Sequence, residues 1–223
     1  MKSVTCVYLH GFLSSGASQK GEWFKQQVEQ EKQLHKALLN GAVINSEEPD
    51  GCPVFQYWLT PTYPISSPKK TIEAVEELVT ELLRKPNESI VLAGSSMGGF
   101  YAQYLGQKYG LPYIMINPAL NPRPIFMNNL GDHTNPVTEE ALTIDEGYIE
   151  QLESYIPKPF NLNIPALLLI EEGDDLIDIP FALACYQQEL SKFRAVLYKG
   201  GNHRFRHLEE AWQEIKEFVQ GIE

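Results

Sequence analysis

Apolar positions along this chain fall into two kinds of run that take turns. Short unbroken runs, Val4–Leu9, Ser89–Ala93, Tyr113–Ile116, Ala166–Ile170 and Arg194–Tyr198, are too brief for stable helices and read as strands buried on both faces. VFQYWL, from Val54, reads as another strand that stops at Pro61 and Pro64. Longer stretches space their apolar residues three and four apart. Ser18–Leu39 does so through Trp23, Phe24, Val28, Leu34 and Leu38, although Gly21 weakens it. Ser67 and Pro68 offer an N-cap and a first-turn proline ahead of Ile72, Val75, Val79 and Leu82, a face that runs to Pro86. Further helices are expected over Phe100–Tyr109, which ends at Gly110, from Pro180 to about Leu190, and around Leu208, Trp212, Ile215 and Val219. NSEEPDGCP, from Asn45 to Pro53, is loop chemistry. Strands alternating with helices through short connections predict an α/β fold, a mostly parallel sheet with helices on both faces. A chain of 223 residues fits one such domain. One stretch breaks the alternation: about 118–165 is rich in Pro and Asn, and only Thr138–Tyr155 reads as a helix there, so it is expected to be a small cap-like insertion.

Ligands of parallel sheets bind beyond the carboxyl ends of the strands. The loops after Leu9, Ala93, Ile170 and Tyr198 all leave such ends and carry the chain's chemically distinctive residues. Gly94-Ser95-Ser96-Met97-Gly98 fits G-x-S-x-G, in which small residues flank a serine on a sharp strand-to-helix turn, and the strand before and helix after are predicted independently of it. Ser96 is the candidate nucleophile. A serine hydroxyl needs a base that titrates near neutrality, and His203, in the glycine-rich GGNHRF loop, is the candidate base. His35 and His133 read as solvated surface residues, and His10 as a residue that orients its loop. His207 lies one turn after His203, but the residues between them supply no carboxylate, so a metal site is not expected. The third member should be a carboxylate that fixes the imidazole tautomer. Asp174, Asp175 and Asp178 all stand in the loop after ALLLIEEG, where any of them could instead be an N-cap. Two backbone donors are needed for an oxyanion, and Met97, after the serine, and Phe12, in the His10-Gly11-Phe12 loop, are the candidates, with Gly11 allowing close approach to substrate. Tyr63 and Asn117 follow strands that face the same cleft and are candidate substrate contacts.

Charge narrows the partners. Eighteen Lys and Arg against 29 Asp and Glu give a net charge of −11, which repels nucleic-acid backbones and anionic lipid over long range while saying nothing about a single basic cleft. Nucleic acid is therefore not an expected partner. No apolar run approaches a membrane span, and the start, MKSVTCVYLHGF, lacks the features of a secretory leader, so a cytoplasmic location is the expectation. Cys6, Cys52 and Cys185 are widely spaced and odd in number, which suggests neither a disulfide framework nor a zinc site. GSSMGGF lacks the G-K-[ST] ending of a P-loop, and no G-x-G-x-x-G fingerprint of a Rossmann dehydrogenase is present.

With HGF, GSSMGG, GDDLID and GGNHRF in order over nearly the whole length, the chain resembles the α/β-hydrolase superfamily, whose triad order of Ser, Asp, His it shares. YLHGFLSSG, GSSMGGFYAQYL and GGNH look particularly like the small YqiA/YcfP-like esterases. The resemblance implies a serine hydrolase acting on small-molecule carboxylic esters or acyl thioesters, with no metal or organic cofactor. It favours Asp174 over its two neighbours, because DDLIDI aligns with the aspartate, two variable residues and apolar position found after this strand in such enzymes. The elbow, oxyanion and base positions fall on Ser96, Met97, Phe12 and His203. Phe126, Met127, Leu130, Leu142, Ile144, Tyr148, Ile149 and Leu152 of the insertion could cap an apolar acyl pocket or simply pack on the sheet. A non-hydrolytic binding or interaction protein on the same fold is the alternative from another class, since fold does not dictate activity. Oligomeric state and physiological substrate are not legible.

Overall fold

A computed structural model describes residues 3–40, 52–186 and 192–222. Six parallel strands form the central sheet: β1 (Ser3–Leu9), β2 (Tyr57–Leu59), β3 (Glu88–Ser95), β4 (Tyr113–Ile116), β7 (Ala166–Glu171) and β8 (Phe193–Tyr198), in the order β2-β1-β3-β4-β7-β8. Between β4 and β7 the chain makes α4 (Pro122–Met127), an antiparallel hairpin of β5 (Gly131–Thr134) and β6 (Ala141–Ile144), and α5 (Glu146–Glu153). The remaining helices are α1 (Gln19–Leu39), α2 (Pro68–Leu83), α3 (Met97–Tyr109), α6 (Ile179–Ala184) and α7 (Leu208–Gly221). The α/β-hydrolase fold expected from the motifs is the fold observed.

Alternation along each strand divides the core in two, because successive side chains point to opposite faces. Val7, Leu9, Ile90, Leu92, Met115, Leu168 and Ile170 join α2 and α3 in one apolar cluster. Cys6, Tyr8, Val91, Ala93, Ile114, Ile116, Leu167 and Leu169 meet Phe24 and Val28 of α1 and Trp212, Ile215 and Phe218 of α7 on the other face. Each large side chain buried this way contributes about 1.5–3 kcal/mol. The aromatic residues Phe24, Phe55, Trp58 and Trp212 interlock there, with ring centroids 5.2 to 6.0 Å apart.

Three expectations change. Thr138–Tyr155 is not one helix: its first part pairs as β6 of the hairpin, in which Leu142 and Ile144 are buried and alternate with exposed residues, and α5 begins only after Asp145, whose side chain accepts from the Tyr148 N–H. The strand read from Val54 is ordered as strand only from Tyr57. The helix expected to reach about Leu190 ends at Ala184 with Cys185 as its C-cap, while residues 187–190 and most of the Asn45–Pro53 loop lie outside the described residues. Ser67 does precede α2, yet its hydroxyl donates to Gln151 Oε1, which also accepts the Lys69 N–H, so a residue of α5 caps α2.

The stretch between β4 and β7 packs against the body. Phe126, Leu142, Ile144, Tyr148, Ile149 and Leu152 belong to the same buried cluster as Ile72 and Val75 of α2, whereas Met127 and Leu130 are exposed. Glu140 fastens it further by accepting the Ile65 and Ser66 N–H groups. Among the described residues no helix is long and apolar enough to cross a membrane.

Candidate active site

Strand order reverses around β1, since β2 follows it on one side and β3 on the other, and the crevice at the carboxyl ends there is where parallel sheets bind ligands. Ser96 stands in that crevice, directly after β3, with φ of +57° and ψ of −122°. A non-glycine residue seldom takes that conformation, and here crowding enforces it. A Cβ on Gly94 would strike the Gly98 carbonyl, and one on Gly98 would strike the Leu9 carbonyl of β1. The Ser96 backbone is bound on both sides: its N–H donates to Ile116 O at 3.0 Å and its carbonyl accepts from Gly99, Phe100 and Ala119. The glycines of the motif thus let α3 start against β1 and leave the serine side chain pointing outward.

His203 Nε2 lies 3.0 Å from Ser96 Oγ, and His203 Nδ1 lies 2.7 Å from Asp174 Oδ2. A carboxylate can only accept, so Nδ1 carries the proton and Nε2 is left as acceptor toward the serine hydroxyl. Asp174 is buried, and its Oδ1 accepts from the Leu176 and Ile177 N–H groups. Asp175 is exposed. Asp178, also exposed, caps α6 by accepting the Phe181 N–H and takes a second bond from Asn121 Nδ2. Of the three candidate aspartates, only Asp174 reaches the imidazole.

Gly11 and Phe12 line the same cleft as Ser96 and His203. Among the described residues neither the Phe12 nor the Met97 N–H makes a hydrogen bond, which leaves both free for a substrate oxygen. Phe12 is braced from the insertion, its ring edge-on to Phe126 at 5.0 Å, and Asn135 Nδ2 donates to Ser14 O in the same loop. His133, expected as a surface residue, is half-buried: its Nε2 donates to Asn129 O and its ring stands edge-on to Phe12 at 6.4 Å. His10 is buried and stacks on Tyr63 at 3.9 Å, its Nδ1 donating to Gly11 O. Burial pulls its pKa below the ordinary imidazole value, so it serves as a neutral brace.

Two expected substrate contacts sit elsewhere. Tyr63 is buried and spends its hydroxyl on His10 O, which makes it a support of the Gly11 loop. Asn117 is wholly buried, with Oδ1 accepting the Glu171 N–H and Nδ2 donating to Asn202 O. Both therefore act behind the cleft, and the correction has one cause: sequence placed them at strand ends but could not show which way the side chains turn.

Glu171, which the sequence did not single out, organises the base loop. Its buried carboxylate accepts the N–H groups of Asn202, Arg206 and His207 and the His207 Nδ1–H at 2.7 Å. Burial alone would raise its pKa, but these donors outweigh it and hold the carboxyl below its ordinary value of 4.5. His207 also stacks on Tyr198 at 4.9 Å, so its role is within this network. The only sequence signal would have been a charged residue closing an otherwise apolar strand.

The profile of an uncharacterised protein family, UPF0227, matches residues 56–220. This is the YqiA/YcfP-like group that the motifs resemble. Solved structures share the fold at low identity. Est1E from Butyrivibrio proteoclasticus, bound to ferulic acid, is 16% identical with a TM-score of 0.65, over 99% of this chain and 89% of that one. Alpha/beta hydrolase domain-containing protein 10 from mouse is 16% identical with a TM-score of 0.66, over 98% and 90%. A hyperthermophilic esterase from Pyrobaculum calidifontis is 17% identical with a TM-score of 0.57, over 99% and 77%.

Proposed function

We propose that this chain, which belongs to the uncharacterised protein family UPF0227, is a serine hydrolase that cleaves carboxylic esters through an acyl-serine intermediate, with acyl thioesters as a related substrate class. The observation that carries this reading is the unbroken hydrogen-bonded chain from Ser96 Oγ through His203 to Asp174, mounted on a strained elbow beside the Phe12 and Met97 N–H groups, which make no hydrogen bond among the described residues. Solved structures with this fold include esterases from Pyrococcus furiosus and Pyrobaculum calidifontis, which agrees with it.

In the first half-reaction His203 Nε2 takes the Ser96 proton as Oγ attacks the ester carbonyl, and the imidazolium is stabilised by Asp174. The Phe12 and Met97 N–H groups hold the oxyanion, a contribution of about 3–4 kcal/mol per donor where such groups have been removed. Nε2–H then protonates the leaving alcohol and the acyl-serine forms. Water enters, gives a proton to Nε2, attacks the acyl carbon, and the acid leaves as Ser96 regains its proton.

Steady-state hydrolysis of short p-nitrophenyl esters and acyl thioesters by the native protein and Ser96→Ala tests the proposal. Turnover by the native protein that falls on the order of 10⁶-fold in the variant is expected. A folded native protein without turnover, or one whose activity survives in Ser96→Ala, overturns it and favours a binding role for the cleft.

A further inference from the structure

The open cleft in front of Ser96 has a volume of about 290 Å³. Its walls are unlike those of an apolar acyl pocket. The hydroxyl-bearing Tyr8, Ser18 and Ser95 line it together with Lys20 and Arg204, and among the described residues no carboxylate does. In a chain of net charge −11 two cations thus line this cleft, with the carboxylates of Asp174 and Glu171 near enough behind Lys20 to act on it. Lys20 makes no ion pair among the described residues, and its Nζ donates only to the Arg204 carbonyl at 3.1 Å. Burial draws its pKa down to about 8, against the upward pull of Asp174 and Glu171, which leaves it cationic at neutral pH. Ser95, 2% exposed, stands beside the Tyr8 hydroxyl at the floor of the cleft. Lys20 is the second residue of α1, and the Gln19 and Lys20 N–H groups come before that of Gly21, which donates to the Ser18 hydroxyl.

We propose that this cleft selects esters whose leaving alcohol carries an anionic group, a carboxylate or a phosphate, and that Lys20 is the residue that recognises the anion. The side of the substrate follows from the chemistry. His203 Nε2 must return its proton to the leaving oxygen, so the alcohol departs on the His203 side, and Lys20 is tied to the residue next to His203. The free N–H groups at the start of α1 lie on the same side of the cleft as Lys20. The inference rests on the reading of Ser96 as an esterase nucleophile.

Four esters separate the possibilities: phenyl acetate, 3-acetoxybenzoate and 3-acetoxyphenyl phosphate, which place no charge, a carboxylate or a phosphate on the leaving group, and monophenyl succinate, with its charge on the acyl side. The expected result is a kcat/KM preference for 3-acetoxybenzoate or 3-acetoxyphenyl phosphate over phenyl acetate. That ratio should fall about tenfold or more in Lys20→Met and be largely retained in Lys20→Arg, while the ratio for monophenyl succinate does not follow Lys20. Which of the two anions is preferred identifies the source. An unchanged ratio in Lys20→Met, or an equal loss on all four esters, overturns the proposal, the second outcome making Lys20 a strut of the His203 loop. Calorimetric titration of both proteins with 3-hydroxybenzoate and 3-hydroxyphenyl phosphate covers a native protein that hydrolyses none of them. Binding lost in Lys20→Met then supports the anion site although the esterase reading fails, and absence of binding to the native protein overturns the site itself.

Discussion

The two halves of the candidate catalytic apparatus are held by different physics. Around Ser96 the constraint is steric and local: Gly94 and Gly98 let one strand and one helix approach until only a single backbone path remains, and the serine takes its positive φ as a result. Around His203 the constraint is electrostatic and distant in sequence. Glu171, at the end of β7, collects four donors from residues 202–207, and Asn117, at the end of β4, ties Glu171 to Asn202. A steric elbow resists pH and salt. A loop wrapped around a buried carboxylate depends on that carboxylate staying ionised.

The largest effect expected from breaking this contrast is on the base side. Asp174→Asn, which disturbs the imidazole tautomer while preserving shape, should lower kcat about 10⁴-fold, whereas Asp175→Asn should leave kcat within a fewfold, a comparison read by steady-state kinetics on one ester. Next comes the elbow itself: Gly98→Ala places a methyl group into the Leu9 carbonyl and should cost about 4 kcal/mol or more in stability, measured by denaturant unfolding.

Glu171→Gln should destabilise by about 2–3 kcal/mol, because an amide presents only one acceptor to four donors. It also sharpens the comparison through pH. The folded pKa of Glu171 lies below its ordinary 4.5, so the unfolded chain binds more protons between the two values; the stabilisation is complete above 4.5 and is lost as pH falls through the lower, folded value. Unfolding free energies measured from pH 7 down to pH 3 should therefore fall more steeply for the native protein than for Glu171→Gln. Smallest is Asp178→Ala, which removes the α6 cap at a cost of about 1 kcal/mol and leaves turnover intact.

The same contrast explains what could be read in advance. Steric requirements write themselves into residue type, so Ser96 and its elbow, and the order of strands and helices around it, were legible from glycine spacing and apolar runs. Residue type alone left Asp174, Asp175 and Asp178 open, and only the resemblance favoured Asp174; the three share a loop and a chemistry and differ in direction, Asp174 facing His203, Asp175 exposed and Asp178 turned to cap α6. Glu171 and Asn117 left no local pattern, since their partners lie 31 to 85 residues away. The β5–β6 hairpin was missed for another reason. Its strands are four residues each, and Gly131–Thr134 has no apolar residue with which to alternate.

The most direct test of the account is covalent. Native protein and Ser96→Ala are treated with a fluorophosphonate probe, and each is analysed by intact mass and peptide mapping. One equivalent of adduct on Ser96 and none in the variant is the predicted result. A folded native protein that takes up no probe, or an adduct mapped to any other residue, would contradict the claim that Ser96, His203 and Asp174 form an activated nucleophile.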